Sequence, residues 1–168
     1  CAILGDGGVK CWGHNVDGRL GYDHGDWIGN APGEMSSLPA VDLGTGKTAV
    51  AISAGRTHTC AILNDGGVKC WGRNSYGQLG YDRNDNQGNA LGEMAALPTV
   101  DLGAGKTAVA VSAGGQHTCA ILNDGGVKCW GQNDKGQLGY DHTSYMGNDP
   151  GEMAALPAIN LGTSKTAS

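Results

Sequence analysis

The fold is decided by one thirteen-residue segment that the chain carries three times. It reads Cys60-Ala-Ile-Leu-Asn-Asp-Gly-Gly-Val-Lys-Cys-Trp-Gly72. The same residues recur at 119–131, and residues 1–13 differ only at Gly5, which replaces asparagine. Two short apolar runs joined by a turn of Asn, Asp and Gly are typical of a β-hairpin. The segment therefore predicts three copies of one antiparallel hairpin.

The three hairpins lie at a constant spacing of 59 residues, so the chain is a tandem repeat. Residues 1–59 and 60–118 share 42 identical positions, and 119–168 form an incomplete third copy. Within one period of the repeat we predict strands at 49–53, 59–63, 68–71 and 99–102, and the equivalents lie 59 residues away. No segment has a sustained helical period. This pattern predicts an all-β fold made of four-stranded propeller blades.

Composition supports many short strands over one large core. The chain has 31 Gly, no Phe and 39% hydrophobic residues. No stretch approaches the roughly 20 apolar residues that span a membrane, so we predict no membrane span. The chain begins at Cys1 instead of methionine, so we expect an upstream segment. The net charge is −5, and Lys and Arg are scattered, which argues against a nucleic-acid partner.

The repeat resembles that of the regulator of chromosome condensation family. The resemblance is carried by His58-Thr-Cys-Ala-Ile-Leu63, Asp65-Gly66, Trp71-Gly72, Asn74 and Gly77-Gln-Leu-Gly80. It covers the whole chain and implies four-stranded blades, usually seven, closed into a ring. About three blades are present, so we expect an open arc or a fragment of the ring. The paired cysteines and the 59-residue spacing look most like bacterial extracellular members.

The hairpin register places the two cysteines of each repeat opposite each other. If residues 64–66 form a three-residue loop, Leu63 faces Gly67, and Cys60 faces Cys70 at a non-hydrogen-bonded position. Such a pair is within disulfide reach. We therefore predict the disulfides Cys1–Cys11, Cys60–Cys70 and Cys119–Cys129, and with them an extracellular or cell-surface location. The alternative is six buried free thiols in a cytosolic protein.

Metal sites fit the spacing poorly. His58 or His117 with the neighbouring cysteine pair offers three zinc ligands, one fewer than a structural zinc site takes, so we predict no metal. Asp82, Asn84, Asn86 and Glu93 stand at positions 1, 3, 5 and 12 of a calcium loop, but Gly88 falls at position 7 instead of 6. A solvated turn is favoured there, and calcium stays the alternative.

Repetition also argues against catalysis. A catalytic site is asymmetric, with one nucleophile, one base and one orienting group. Nearly every Ser, His, Asp or Cys of this chain has a twin 59 residues away. We therefore predict no catalytic residues and a chain that is not an enzyme. A catalytic domain elsewhere in a longer protein stays open.

Positions that differ between the copies indicate where a partner binds. The larger cluster lies at 24–28, 83–87 and 142–146, and the smaller at 16–17, 75–76 and 134–135. Because blades present equivalent loops at equivalent places, we expect each cluster to form an arc. The predicted partner-binding residues are His24, Asp26, Trp27, Tyr76, Arg83, Asn84, His142, Tyr145 and Met146, some of them typical interface anchors. Surface loops that simply drift would differ in the same way.

The sequence is compatible with three functions. The first is a secreted or surface-exposed propeller module that binds another protein. The second is a structural repeat of an extracellular fibre or assembly, which joins copies through open strand edges. The third and weakest, implied by the family resemblance, is guanine-nucleotide exchange.

Overall fold

The repeat is visible in the order of the elements. The computed structural model describes residues 1–163 and 165–167, so Ser164 and Ser168 of the third copy lie outside it. Its elements are β1 (Ala2–Ile3), β2 (Val9–Lys10), α1 (Glu34–Ser37), β3 (Ala49–Ala54), β4 (His58–Leu63), β5 (Val68–Gly72), α2 (Glu93–Ala96), β6 (Ala108–Ala113), β7 (His117–Leu122), β8 (Val127–Gly131) and α3 (Glu152–Ala155). Each helix has four residues, about one turn, so the all-β prediction is confirmed.

The strands form three antiparallel sheets that pack on one another in chain order. The first is β1-β2, the second β3-β4-β5 and the third β6-β7-β8. In the second sheet, β3 lies within residues 1–59, β4 begins at His58 and continues into the second copy, and β5 lies within 60–118. Each three-stranded sheet therefore takes its first strand from the copy before, which ties successive copies together.

The hairpin register is the one that the sequence predicts. Cys60 lies opposite Cys70, and Ile62 lies opposite Val68. Leu63 N–H donates to the Gly67 carbonyl at 2.8 Å, which closes the three-residue loop. Gly66 has a φ of +79°, and a Cβ there would lie 2.6 Å from the Thr107 Cβ. The turn therefore requires glycine for both its conformation and its packing.

The fourth strand of each blade is a correction to the sequence prediction. Residues 99–102 form no ladder, and their link to the sheet is one hydrogen bond from Val100 N–H to the Val68 carbonyl at 2.8 Å. Pro98 has no N–H to donate, and the Asp101 carboxylate accepts from Gly103 N–H at 2.8 Å, which turns the chain away. The second and third sheets therefore have three regular strands and an irregular outer segment.

The outer edge of each sheet is covered instead of open. Cys70 N–H points away from β4 and donates to the Tyr81 hydroxyl at 2.9 Å. Gly72 and Gln87 exchange two backbone hydrogen bonds of 2.7 and 3.0 Å. The same tyrosine contacts recur between Cys11 and Tyr22 and between Cys129 and Tyr140. Assembly through this strand edge, which the sequence suggested, therefore meets groups that are already bonded.

The core lies between successive sheets and is centred on tryptophan. Trp71 and Trp130 are fully buried. Each lies against a glycine of the preceding copy, Trp71 against Gly21 and Trp130 against Gly80, where an added Cβ would be 2.8 Å from the indole nitrogen. Trp12 occupies the same position in the first copy and is 45% exposed. Burial of this residue type therefore depends on a preceding repeat.

The structure places the two sulfur atoms of each repeat at bonding distance, in the pairs Cys1–Cys11, Cys60–Cys70 and Cys119–Cys129. We expect non-reducing peptide mass spectrometry to find these three pairs and no others. Replacing Cys60 and Cys70 together with alanine should lower the free energy of unfolding by about 3 kcal/mol, because each bridge closes a loop in the unfolded chain. Six free thiols, or bridges between repeats, would contradict the pairing.

His58 gives the fold a pH dependence. Its ring is fully buried, and Nε2 lies 2.8 Å from the Thr118 hydroxyl. Burial, and secondarily the charge of His117, lowers the pKa of His58 to about 4. In the unfolded chain His58 has its ordinary pKa near 6.5. Between about pH 6.5 and pH 4, His58 is therefore protonated in the unfolded chain but not in the folded one. The free energy of unfolding is therefore unaffected by His58 above about pH 6.5 and falls as the pH is lowered to about 4. The loss amounts to at most about 3 kcal/mol.

Urea unfolding at pH 7 and pH 4.5 checks this expectation. His58→Gln is the control because it keeps a polar side chain and does not titrate. The wild-type chain should lose more stability between the two pH values than the variant does. An equal loss in both chains would show that His58 contributes nothing to the pH dependence.

Candidate partner-binding surface

One asparagine in each repeat fixes both of the clusters that differ between copies. Asn74 is fully buried after β5. Its Oδ1 accepts from Leu79 N–H at 2.9 Å in the turn, and its Nδ2 donates to the Arg83 carbonyl at 2.6 Å in the longer loop. Asn15 and Asn133 make the same two contacts. The shared residue therefore holds the variable segments in equivalent positions.

The first variable position of the longer loop covers a tyrosine of the scaffold. The ring centroid of His24 lies 6.1 Å from that of Tyr22, and His142 lies 5.9 Å from Tyr140. In the second repeat, the Arg83 guanidinium lies 5.6 Å from the centre of the Tyr81 ring, a cation–π contact. Burial raises the pKa of Tyr81, so its hydroxyl stays protonated beside Cys70 N–H.

The two variable clusters meet across the boundary between repeats. Tyr76 of the second repeat contacts Tyr145 of the third in an edge-to-face pair with centroids 5.2 Å apart. Asn86 Nδ2 of the second repeat lies 3.5 Å from Asp17 Oδ1 of the first. Clusters that are separate in sequence thus form one continuous surface. We name it the loop surface and define it by residues 14, 16–17, 24–27, 73, 75–76, 83–86, 132, 134–135 and 142–145, which leaves out the buried asparagines.

The exposed aromatic residues of the loop surface are Trp27, 54% exposed, and Tyr145, 37% exposed. Trp27 lies against His14 with ring centroids 5.0 Å apart. The remaining predicted residues divide into an exposed group and a half-buried pair. Asp26, Arg83, Asn84 and His142 are exposed, and His24 and Tyr76 are half-buried.

Met146 is a correction to the predicted set. Its side chain packs against the core around Trp130. Its backbone exchanges hydrogen bonds of 2.8 and 3.2 Å with Gly131. Ile28 and Gln87 hold the same bridging position in the other copies. This position varies in sequence but belongs to the scaffold, so it is not part of the loop surface.

A groove runs beside the loop surface in two of the repeats. In the first repeat its lining includes Asp26, Trp27, Glu34 of α1 and Pro39. In the second, Asp85, Glu93 and Pro98 take the same places. A carboxylate therefore stands at the same point of both grooves, at Asp26 and Asp85.

The four residues with calcium-loop spacing serve separate partners. The Asp82 carboxylate accepts from the N–H groups of Gly151 and Met153, both at 2.9 Å, in the next repeat. Glu93 accepts from Asn89 and Ala90 N–H, both at 2.9 Å. Asn86 Oδ1 accepts from Asn74 N–H, and Asn84 is exposed. The structure therefore does not bring this predicted set together as a cation site.

Residues 1–163 and 165–167 form neither a metal-binding cluster nor a membrane-spanning helix. No group of three or more His, Cys, Asp or Glu side chains there is arranged to hold a metal ion. The sulfurs of Cys60 and Cys70, considered above with His58 as zinc ligands, are bonded to each other. No helix in this part of the chain is long and apolar enough to cross a membrane.

Sequence analysis missed the aspartates that join the repeats. Asp23 and Asp82 have positive φ values of 58° and 54°, which is unusual outside glycine. Each accepts from the start of the helix in the next copy, Asp23 from Gly92 and Met94 N–H at 2.9 Å. The available signal was the Gly-Tyr-Asp run, which recurs in every copy.

Comparison with known proteins identifies the repeat. A family model described as the regulator of chromosome condensation (RCC1) repeat matches residues 6–62 and 65–121, and a second with the same description matches 49–78 and 108–137. Human E3 ubiquitin-protein ligase HERC2 is 32% identical over 142 residues, covering 82% of this chain and 3% of its own length. Human probable E3 ubiquitin-protein ligase HERC4 is 31% identical over 138 residues, covering 82% and 12%.

Solved structures agree on the fold. Human WBSCR16 superposes with a TM-score of 0.69 at 20% identity, over 94% of this chain and 34% of its own. Prp20p from Saccharomyces cerevisiae gives 0.69 at 18% identity, over 97% and 36%. The chain thus spans about a third of these structures and a small part of the curated relatives. It consists of β-propeller blades, and it belongs to the regulator of chromosome condensation (RCC1) repeat family.

Proposed function

We propose that this chain is a non-catalytic propeller module that binds a protein partner through the loop surface. One observation carries the proposal. Positions that differ between the copies meet across repeat boundaries at Tyr76–Tyr145 and Asp17–Asn86. Positions that the copies share, such as Asn74 and Trp71, are buried in the scaffold. This division is expected of a repeat protein whose blades are constant and whose recognition residues are not.

The class of partner is supported by a relative. Yeast Prp20p has binding properties to Gsp1p and histones. In a second solved structure, Kap60 is bound to Prp20. Both statements concern the yeast protein and support protein as the class of partner here. Trp27 and Tyr145 are the anchors, because exposed aromatic side chains contribute large contact area at interfaces. Asp26 favours lysine or arginine of the partner in the first groove, whereas Arg83 lines the second groove together with Asp85.

An extracellular or cell-surface location belongs to the same proposal. It is supported by the three cysteine pairs at bonding distance, one in each repeat. Disulfides persist in oxidising compartments and are rare in the cytosol. Mass spectrometry of the protein recovered from its native source without reduction tests the location, since reduced thiols in the native protein would contradict it.

Affinity measurements with single substitutions test the binding surface. A photo-cross-linking residue at position 83 first identifies the partner from the producing organism, and that protein is then purified. Trp27→Ala and Tyr145→Ala should each weaken binding about 30-fold, the effect of removing an interface anchor worth about 2 kcal/mol. Val50→Ala is the control, because Val50 is 63% exposed on β3, outside the loop surface. Equal affinities in all four chains would refute the assignment.

A second candidate function is a structural subunit of an extracellular assembly. It is favoured by the contacts that join successive copies, in which Trp71 packs against Gly21 and Trp130 packs against Gly80. Near-identical units that pack on one another through the same contact suit a repetitive assembly. The two candidates use different surfaces and are separable by mutation.

A further inference from the structure

All four arginines of the chain, Arg19, Arg56, Arg73 and Arg83, lie at the end of the second sheet where β4 begins and β5 ends. Arg19 Nη1 donates to the Arg56 carbonyl at 2.9 Å. Arg73 N–H donates to the Thr57 carbonyl at 3.0 Å. The residue after Arg73 holds the Arg83 carbonyl, and the Arg83 guanidinium lies over a tyrosine ring. We name Arg19, Arg56 and Arg73 the arginine cluster.

The arginine cluster occurs at one boundary between repeats and not at the next. The equivalent positions at the next boundary are Gln78, Gly115 and Gln132, none of which is charged. The backbone there is nevertheless held in the same way, because Gln132 N–H donates to the Gln116 carbonyl at 2.9 Å, as Arg73 N–H does to its own partner. The scaffold is therefore built equally well without the three positive charges.

The cluster lies inside the row of repeats, with a neighbour on each side. Arg19 is in a turn of the first repeat and contacts the second sheet. Arg56 N–H donates at 3.1 Å to the carbonyl of Gly114, which follows β6 of the third sheet. With both neighbours in place, Arg56 is exposed and Arg73 is half-buried. Their side chains are therefore accessible at a complete boundary between repeats.

Two guanidinium groups of the cluster have no acidic partner. Arg19 Nη2 lies 3.0 Å from Asp17 Oδ2. In the part of the chain that the structure describes, no carboxylate oxygen lies within 4.0 Å of Arg56 or Arg73. The chain as a whole has a net charge of −5. Two arginines without a counter-charge on adjacent segments of an acidic chain are a local feature suited to an external anion.

We propose that the arginine cluster binds an acidic segment of the protein partner, with Arg56 and Arg73 pairing with its Asp or Glu side chains. A guanidinium group matches a carboxylate through two parallel hydrogen bonds. Arg19 positions Arg56 through its carbonyl. Nucleic acid is disfavoured because its binders neutralise many phosphates and Asp17 lies within the same site. The inference rests on the proposed function, since it names the chemistry of the partner, and Arg73 belongs to both the cluster and the loop surface.

Titration with a hexaglutamate peptide at low ionic strength tests the cluster before a partner is known. The four arginines give four side-chain Nε–Hε NMR signals, and those of Arg56 and Arg73 should shift as the peptide binds. The variant Arg56→Gly with Arg73→Gln carries the residues of the next boundary, so it should remain folded, which an unfolding curve checks. Its affinity for hexaglutamate, measured from backbone amide shifts, should be about tenfold weaker, the loss expected for two exposed ion pairs.

Matched controls separate recognition by the cluster from a general effect of charge. Lys47→Gln with Lys106→Gln also removes two positive charges, at lysines that pair with aspartates of the hairpin turns, and should leave the affinity unchanged. Hexaglutamine should shift no arginine signal, and hexathymidylate should bind more weakly than hexaglutamate. Unshifted Arg56 and Arg73 signals, equal affinities in the arginine and lysine variants, or tighter binding of hexathymidylate would overturn the inference.

The partner captured by cross-linking at position 83 gives the second measurement. Its affinity for the variant Arg56→Gly with Arg73→Gln should be about tenfold weaker than for the wild type and should fall less steeply with added salt. Unchanged affinity would overturn the inference even if hexaglutamate binds. Trp27→Ala and Tyr145→Ala should leave hexaglutamate binding unchanged. A failure of the loop-surface anchors and a failure of the arginine cluster therefore show in different variants.

Discussion

Replacing Trp71 with alanine is expected to lower the free energy of unfolding by about 3 to 5 kcal/mol, among the largest single effects in the chain. The indole is fully buried at the interface between the first and second repeats. It packs with Leu20 and Val41 of the first repeat and with Ala61 and Leu63 of β4. Its removal leaves a cavity between two packed sheets, which the surrounding side chains fill only partly. Denaturant unfolding measures the loss.

Trp12→Ala is the matched control for this prediction. The residue type, the hairpin position and the flanking sequence are the same, but the side chain is 45% exposed. At protein concentrations where the chain is monomeric, we expect a loss below about 1 kcal/mol, since surface substitutions usually have small effects. Similar losses in the two variants would contradict the claim that tryptophan stabilises the interface between repeats and not the hairpin.

Gly77→Ala is expected to destabilise the fold by about 3 kcal/mol, for two separate reasons. The residue has a φ of +75°, which costs a side chain roughly 1 kcal/mol. The new Cβ would also lie 2.5 Å from the Asn148 nitrogen and from the Gly147 carbonyl carbon in the next repeat. Because these are backbone atoms, they cannot rotate away, and the second and third repeats have to move apart. Crowding of this kind costs about 1 to 3 kcal/mol.

Gly136→Ala separates the two reasons. Gly136 has a φ of +72°, nearly that of Gly77, and a Cβ there meets nothing within 4 Å. It should lose only the roughly 1 kcal/mol of conformational strain. Unfolding midpoints of the two variants give the difference directly. If both alanines cost the same, the close approach of the repeats is not what requires glycine at position 77.

Local features of the fold could be predicted from the sequence because they depend on neighbouring residues. The turn at residues 64–66 fixes the register of β4 and β5, and with it the opposition of Cys60 and Cys70. The prediction of a strand at 99–102 was wrong. Apolar alternation indicates an extended chain, but it does not show whether that chain has a hydrogen-bonding partner. Pro98 and the Asp101 turn prevent the ladder. The short helices have one turn, too few residues for a periodic pattern.

Contacts between repeats could not be predicted, because in a near-identical repeat every contact has two indistinguishable interpretations. Asp82 could bind within its own copy or in the next, and the structure places its carboxylate at Met153, 71 residues away. The loop surface was predicted in part for the same reason. Trp27 and Tyr145 were identified by their variation, but the pairing of Tyr76 with Tyr145 needs the packing of two blades. Met146 varies and is nevertheless scaffold.

The most direct test of partner binding gives every repeat the loop of the second repeat. The substitutions are His24→Arg, Gly25→Asn, Trp27→Asn, His142→Arg, Thr143→Asn, Ser144→Asp and Tyr145→Asn. The scaffold accepts this loop, since Asn86 already bonds Asn74 N–H in the second repeat. We predict an unfolding midpoint close to that of the wild type and an affinity for the cross-linked partner at least 100-fold weaker. Unchanged affinity in the folded variant would contradict recognition through the loop surface.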